Sequence, residues 1–200
     1  MKPSLAILIC TLTDRKELFD RVSKELQSQA STVENEVFIL KNEDSREKTT
    51  GQKRNELLEQ ARLLGVKVVS FVDDDDMVGP TYIKRGIEVA ESGMDCGELW
   101  GQIYFNGVRG NPFHHSLIHK EWYQDEKFYY RNPNHLNFTR LDAIKDIKYQ
   151  NMTIGEDGQY SLAITAAGAL KTMYPIPEII YHYFTGEPKY ALELRKLWVN

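Results

Sequence analysis

Through its first half the chain alternates short unbroken apolar runs with longer stretches in which apolar residues recur every three or four positions. Leu5 to Cys10 is a continuous apolar run, the pattern of a strand covered on both faces. Arg15 to Gln29 follows with an apolar stripe of Leu18, Phe19, Val22 and Leu26, which predicts a helix. Val37 to Leu40 reads as a second strand. Leu57, Leu58, Ala61 and Leu64 mark a helical face that stops at Gly65, a natural left-handed C-terminal cap. Val66 to Val72 is the third strand, and Pro80 suits the first turn of a helix reaching Ala90. This alternation predicts βαβ units and an α/β, Rossmann-type, mostly parallel sheet flanked by helices.

After Gly93 the texture changes to aromatic-rich, strand-like pieces at Leu99 to Phe105 and Trp122 to Tyr130, with a turn signal at Asn106-Gly107. Mixed or antiparallel strands are expected there. Thr139 reads as the cap of a short helix over Arg140 to Ile147, and Gln159 to Ala167 as another. The segment PEIIYHYF is strand-like, and Lys189 to Trp198 has the pattern of an amphipathic helix. No repeat, low-complexity tract or linker interrupts the chain, so a single domain over residues 1–200 is expected, divided near residues 92 and 185.

Composition narrows the function. Two hundred residues with 42% hydrophobic content suffice for one sizeable core. Lys+Arg 25 against Asp+Glu 29 gives a formal charge of −4, which supplies no general attraction for nucleic acid or an anionic membrane. Cys10 and Cys96 lack metal-type spacing and read as reduced thiols. The longest apolar stretch, LAILIC, is far too short to span a bilayer, and no signal-peptide pattern precedes it, so a soluble cytoplasmic protein is expected.

The strongest chemical signal is VVSFVDDDDMVGP, in which Asp73 to Asp76 directly follow a buried-type strand. Charge runs are usually solvated loops, but four adjacent carboxylates repel one another unless something cationic neutralises them. In an open α/β sheet the C-terminal ends of strands are where ligands sit. The expected guest is Mg²⁺ or Mn²⁺ holding nucleotide phosphates. In TTGQKRNELLEQA, Lys53 and Arg54 fall in a first helical turn, where cations oppose the helix dipole unless an anion docks there; otherwise both splay into solvent. In GEDGQY, Glu156 and Asp157 stand ahead of a helix as a candidate general base or as a helix cap. His114, His115 and His119 fit surface or packing roles, having no cysteine beside them for zinc. His182, in YHYF, is either a core histidine or a residue completing the coordination of the cation. Trp100, Trp122, Tyr123, Tyr129 and Tyr130 fit either a sugar platform or core.

Taken in order, ILICTLTDR, a second short strand, GQKRN, VVSFVDDDD, GED and a late histidine resemble the inverting family 2 glycosyltransferases of the GT-A fold, over roughly Leu5 to Tyr183. The resemblance implies a nucleotide-sugar-binding half (about 1–92), an acceptor-binding and catalytic half (about 93–185) and a C-terminal helix (186–200). It implies that Asp73 and Asp74 contact the nucleotide sugar, Asp75 the Mn²⁺ or Mg²⁺ ion, Thr11 the nucleobase and ribose, and Lys53 and Arg54 the diphosphate. Asp157 matches the catalytic base, and His182 joins the cation. The chain departs from the family after the second strand, where many relatives carry a base-reading aspartate; here Lys41 and Asn42 hold that position, with Glu43 and Asp44 displaced, and Asn42 is the nucleotide-sugar-binding candidate there. The donor expected is a UDP-sugar, and the acceptor a cell-surface, lipid-linked or small-molecule hydroxyl. A hydroxylated DNA base is the less favoured acceptor, although Lys120, Lys127, Arg131 and Arg140 offer a local basic patch. The rival readings are an aspartate-nucleophile phosphatase acting through Asp73 and a non-catalytic carbohydrate-binding module.

Overall fold

The structure is a computed structural model that describes residues 4–186. The helix expected over Lys189 to Trp198, and nearly all of the segment 186–200, lie outside the described residues. In chain order the elements are β1 (Leu5–Leu12), α1 (Lys16–Ala30), β2 (Val37–Asp44), α2 (Thr50–Leu63), β3 (Val68–Phe71), β4 (Met77–Val78), α3 (Tyr82–Ser92), β5 (Cys96–Gly97), β6 (Leu99–Phe105), β7 (Val108–His115), β8 (Tyr123–Gln124), β9 (Tyr129–Arg131), β10 (Thr139–Arg140), α4 (Glu156–Ala166), β11 (Met173–Tyr174) and β12 (Ile179–Thr185).

They build two six-stranded sheets, ordered β11-β5-β10-β3-β1-β2 and β4-β12-β6-β7-β9-β8. In the first, β1 lies between β2 and β3 with both pairings parallel, while β10 runs antiparallel to β3. Side chains alternate along a strand, and β1 uses both faces. Leu5, Ile7 and Ile9 pack with Val22 and Leu26 of α1 and Ile83 and Ile87 of α3. Ala6 and Leu8 pack with Leu57, Leu58 and Ala61 of α2 and Tyr160 and Ile164 of α4. Burying both faces removes the polar alternation, which is why this strand reads as an unbroken apolar run.

The helix termini follow local chemistry. Thr49 caps α2 by accepting from the Gln52 N–H at 3.2 Å, and Gly65 closes its far end at φ +69°. Gly93 ends α3 in the left-handed region. In the second sheet, β6 and β7 form a hairpin through Asn106 (φ 47°) and Gly107 (φ 80°), the turn that the dipeptide predicts.

Two expectations are corrected. Thr139 does not cap a helix over 140–147: Thr139–Arg140 is β10, clamped between β3 and β5, and a 3-10 turn at Leu141–Ile144 follows. Threonine suits both a cap and a strand, and the open sheet edge decides between them. Likewise, β2 continues through polar Lys41-Asn42-Glu43 to Asp44, paired residue for residue with β1 up to Leu12↔Asp44. Asp44, rather than Asn42, is therefore the residue at the end of the second strand. Among the described residues no helix is long and apolar enough to cross a membrane.

Candidate active site

The acidic run is the passage from one sheet to the other. The chain leaves the first sheet at Phe71 and enters the second at Met77, and the Asp76 N–H bonds the Asp73 carbonyl at 3.1 Å to close the turn between them. Each aspartate has its own set of partners, with Arg15 shared between Asp74 and Asp75. Asp73 accepts from the Arg54 Nη2 at 3.2 Å and from the His135 Nε2 at 3.5 Å. Burial alone would raise its pKa, but Arg54, His135 and Arg15 together hold it well below the usual carboxylate range. Asp74 accepts from the Thr11 Oγ1 at 2.7 Å and pairs with Arg15 at 2.9 Å. Its burial outweighs both, pushing its pKa up to about 6. Asp75 pairs with Arg15 at 2.6 Å, and its side chain is 36% exposed. Burial raises its pKa too, against the pull of Arg15. Asp76 is fully buried, accepting from the Tyr181 hydroxyl at 2.7 Å and the Phe184 N–H at 2.8 Å. Burial, then the charges of Asp75 and Asp73, push it well above the carboxylate range. Arg21 of α1 binds the backbone of the same turn, donating to the carbonyls of Asp75 (2.7 Å) and Asp76 (3.0 Å).

At the C-terminal ends of β1 and β3 this turn forms one wall of a cleft of about 490 Å³. Its other walls are Cys10, Thr11, Leu12, Arg15 and the cations Arg46, Lys48 and Lys53, with Tyr183 and Phe184 from β12. Four basic side chains thus face three carboxylates, the balance an anion–cation pair requires. Arg46 sits at φ 75° and reaches Asp14 at 2.6 Å. Burial pushes the Cys10 and Cys96 thiols up to about 12, so neither is a nucleophile.

A smaller cavity of about 250 Å³ adjoins the cleft and shares Asp73, Thr153 and Tyr183 with it. It contains Asp157, Glu156, Arg54, Arg131, His115, Asn134 and His135. Glu156 and Asp157 occupy the first turn of α4, where carboxylates favour the helix dipole. They then diverge. Glu156 turns inward to Arg54 at 3.4 Å, whereas Asp157 stays half-buried in the cavity. Burial lowers Arg131, while the Asp157 charge opposes that shift, so the two are electrostatic neighbours. Burial and Arg54 hold His135 low, and Asp73 and Asp157 work against them.

The residues singled out from sequence are placed as follows. Thr11, Asp73, Asp74, Asp75 and Lys53 share the larger cleft, and Asp157 occupies the smaller one. Lys53 is turned inward, donating to Asp44 at 2.7 Å and to the Thr11 carbonyl at 2.9 Å. Arg54 is buried, lying over the rings of Phe71 (5.0 Å) and Tyr149 (5.6 Å) while bridging Asp73 and Glu156. Neither cation splays into solvent. The N-terminus of α2 is covered by protein, since the Gly51 N–H donates to the Met152 carbonyl at 3.0 Å. Asn42 donates to Glu56 at 2.7 Å and does not line the cleft. His182 packs beside Tyr104 (ring centroids 6.0 Å), and burial, then Arg109, lower its pKa to about 4. Its neighbours Tyr183 and Phe184 line the cleft; His182 does not.

His114, His115 and His119 are buried, and a chain of contacts runs from Glu98 through His114 (2.8 Å) and His119 (3.0 Å) to Tyr123 (3.0 Å). Trp100 stacks on His114 at 3.9 Å, while Trp122 is 41% exposed and carries Arg131 over its ring at 4.3 Å. From sequence, no role here falls to Arg15, His135, Tyr181 or Tyr183, while Asp44 stands only as displaced and Arg131 only as part of a basic patch. Of the first four, Arg15 carried a local signal, standing at the end of the first strand's lead-in, TLTDR.

Solved structures share this fold. TarS 1–349 of S. aureus in complex with UDP-GlcNAc superposes with a TM-score of 0.61 at 14% identity, over 94% of this chain and 60% of that one. This is the GT-A fold. A Drosophila β1,4-galactosyltransferase 7 catalytic domain, in complex with xylobiose, matches at TM-score 0.56 and 14% identity, over 88% of this chain and 66% of its own. A glycosyltransferase involved in glycosylation of the major capsid of PBCV-1 matches at TM-score 0.55 and 11% identity, over 96% of this chain and 98% of its own. The chain therefore spans about 60% of TarS 1–349 and nearly all of the glycosyltransferase involved in PBCV-1 capsid glycosylation. No protein-family profile matches the sequence, and no curated protein matches it.

Proposed function

We propose that this protein transfers a sugar from a nucleoside-diphosphate sugar to an acceptor hydroxyl with inversion at the anomeric carbon. One observation carries the reading: a 490 Å³ cleft with opposed cations and carboxylates shares Asp73, Thr153 and Tyr183 with an adjoining 250 Å³ cavity lined by Asp157. The larger space suits a nucleoside diphosphate and the smaller a sugar ring with the incoming hydroxyl. UDP is the expected nucleotide, since structural neighbours at this fold include a UDP-GlcNAc complex. The acceptor proposed is a glycan, lipid-linked or small-molecule hydroxyl.

In this reading Asp157 takes the proton of the attacking hydroxyl. Arg131 holds a positive charge beside it, and His135 orients Asp73 from the other side. Thr11 and Asp74 face the nucleoside, while Arg15, Arg46 and Lys48 offset the negative charge that builds on the departing diphosphate. Lys53, in the cleft wall, and Arg54, behind it, fix Asp44 and Asp73. A divalent cation fits the oxygen donors here, because Asp73 and Asp75 are both about one-third exposed, and Mg²⁺ or Mn²⁺ needs only one or two carboxylates when phosphates complete its shell. Bound there, it would supply further positive charge for the leaving group. Among the described residues no group of three or more His, Cys, Asp or Glu side chains forms a closed metal cage. His182 is left out of the proposed cation set.

The test is a thermal-shift and hydrolysis screen of nucleotide sugars with and without Mn²⁺. Stabilisation by one UDP-sugar together with slow release of UDP supports the reading. A protein that no nucleotide sugar stabilises or is consumed by refutes it.

A further inference from the structure

The acidic run already holds a cation of its own. One guanidinium nitrogen, Arg15 Nη2, lies 2.9 Å from Asp74 Oδ1 and 2.6 Å from Asp75 Oδ2. Asp75 is one of the two carboxylates assigned above to a divalent ion, and Asp74 stands between it and the other, Asp73. A guanidinium and a metal ion sharing Asp75 repel each other, so occupancy by one disfavours the other.

Arg15 is also the side chain best placed to leave. The turn does not depend on it, because Arg21 separately anchors the Asp75 and Asp76 carbonyls from α1. Of the other cations in the cleft, Lys53 is buried against Asp44, while Arg46 and Lys48 pair with Asp14 and Glu56 away from the acidic run. Arg15 is 30% exposed, lines the cleft, and follows β1 in a 3-10 turn ahead of α1. A diphosphate entering the cleft offers its planar fork a doubly charged, bidentate partner.

The geometry points to Arg15 as an exchange residue. It neutralises Asp74 and Asp75 while no nucleotide is bound, then turns to the diphosphate and releases Asp75 to the incoming ion. The inference rests on the nucleotide-sugar reading above. Its consequence is that the protein discriminates against a bare metal ion and accepts it together with the nucleotide, a coupling that is reciprocal for the two ligands.

Two affinities measured on the intact protein test this: Mn²⁺ alone, by calorimetry or by electron spin resonance of the free ion, and UDP alone in EDTA. In Arg15→Gln, Mn²⁺ alone should bind about tenfold more tightly and UDP alone about tenfold more weakly, within the usual range of coupling effects. Opposite signs in one variant are not what a merely structural residue produces. Arg15→Lys, which keeps the charge without the fork, should restore weak Mn²⁺ binding, and melting curves of both variants check folding. The proposal falls if Arg15→Gln leaves Mn²⁺ affinity unchanged or lowers it, or if UDP binding in EDTA does not weaken. If UDP binds neither protein under any condition, the nucleotide-sugar reading fails, while the Mn²⁺ comparison still reports on Arg15.

Discussion

Tyr181 and Asp76, 105 residues apart in the chain, meet through a hydrogen bond of 2.7 Å where both side chains are fully buried. The same phenol oxygen accepts from the Asp73 N–H at 3.2 Å, so one hydroxyl ties β12 to both ends of the acidic run. Removing it strands a buried donor and a buried acceptor, each costing about 1–3 kcal/mol. Tyr181→Phe should therefore lower unfolding free energy by a few kcal/mol in urea melts. It should also weaken nucleotide binding, since the turn loses its register. A variant as stable as the parent would show that the bond contributes nothing.

Asp157→Asn keeps the shape of the side chain and removes its capacity to take a proton. Turnover should fall by about 10²- to 10⁴-fold. Donor affinity, set in the neighbouring cleft, should change little by calorimetry. Near-normal transfer by this variant would exclude Asp157 as the base.

Asp74 makes a pH prediction with a definite sign. Its folded pKa is raised by burial to about 6 from an ordinary 3.8. A raised carboxyl group favours the folded state while protonated. That contribution is fully present below the unfolded value and is lost as pH rises through about 6. The difference corresponds to roughly 2–3 kcal/mol at most. Asp74→Asn can still accept from Thr11, so it should be more stable than the parent at pH 8 and nearly equal to it at pH 4, as measured by denaturant titration at both values.

Gly51 lets the loop at Gln150–Met152 lie against the start of α2. A Cβ there would stand 1.9 Å from the Gln150 carbonyl oxygen, which cannot yield as a flexible side chain would. Gly51→Ala should push this loop away, uncover the helix N-terminus and cost about 1–3 kcal/mol. Hydrogen exchange at Gly51-Gln52 and Met152 is the readout, with faster exchange confined to that loop and the first turn of α2.

The parallel core was legible because its signals are local. An apolar run buried on both faces, a threonine cap and a glycine stop each declare themselves within a few residues, and β1, α2 and α3 follow them. The acidic run and the Glu156-Asp157 pair stand out for the same reason, as short charged motifs between elements, and the structure places them along two adjoining cavities. What sequence could not convey was the wiring. Asp73 is held by Arg54, 19 positions earlier, and His135, 62 positions later. No periodicity links such residues. The expectation that the run needs an external ion followed from treating its charge as uncompensated, whereas Arg15 and Arg54 compensate much of it internally. The polar end of β2 was hidden for the opposite reason: backbone pairing with β1 extends it through residues whose composition resembles a loop.

The place of β12 has a consequence for how the protein comes into being. It is inserted between β4 and β6, and from it come Tyr181, Tyr183 and Phe184. On the ribosome the three-stranded parallel core can assemble once β3 has emerged, but the gap in the second sheet stays open until translation reaches Thr185. Until then the edges of β4 and β6 are bare, the kind of surface that recruits stray strands. The cleft is thus completed only when β12 joins, and a chain lacking Ile179–Thr185 should keep the parallel core while losing the walls that close its pocket and the Ile180 and Tyr181 core contacts.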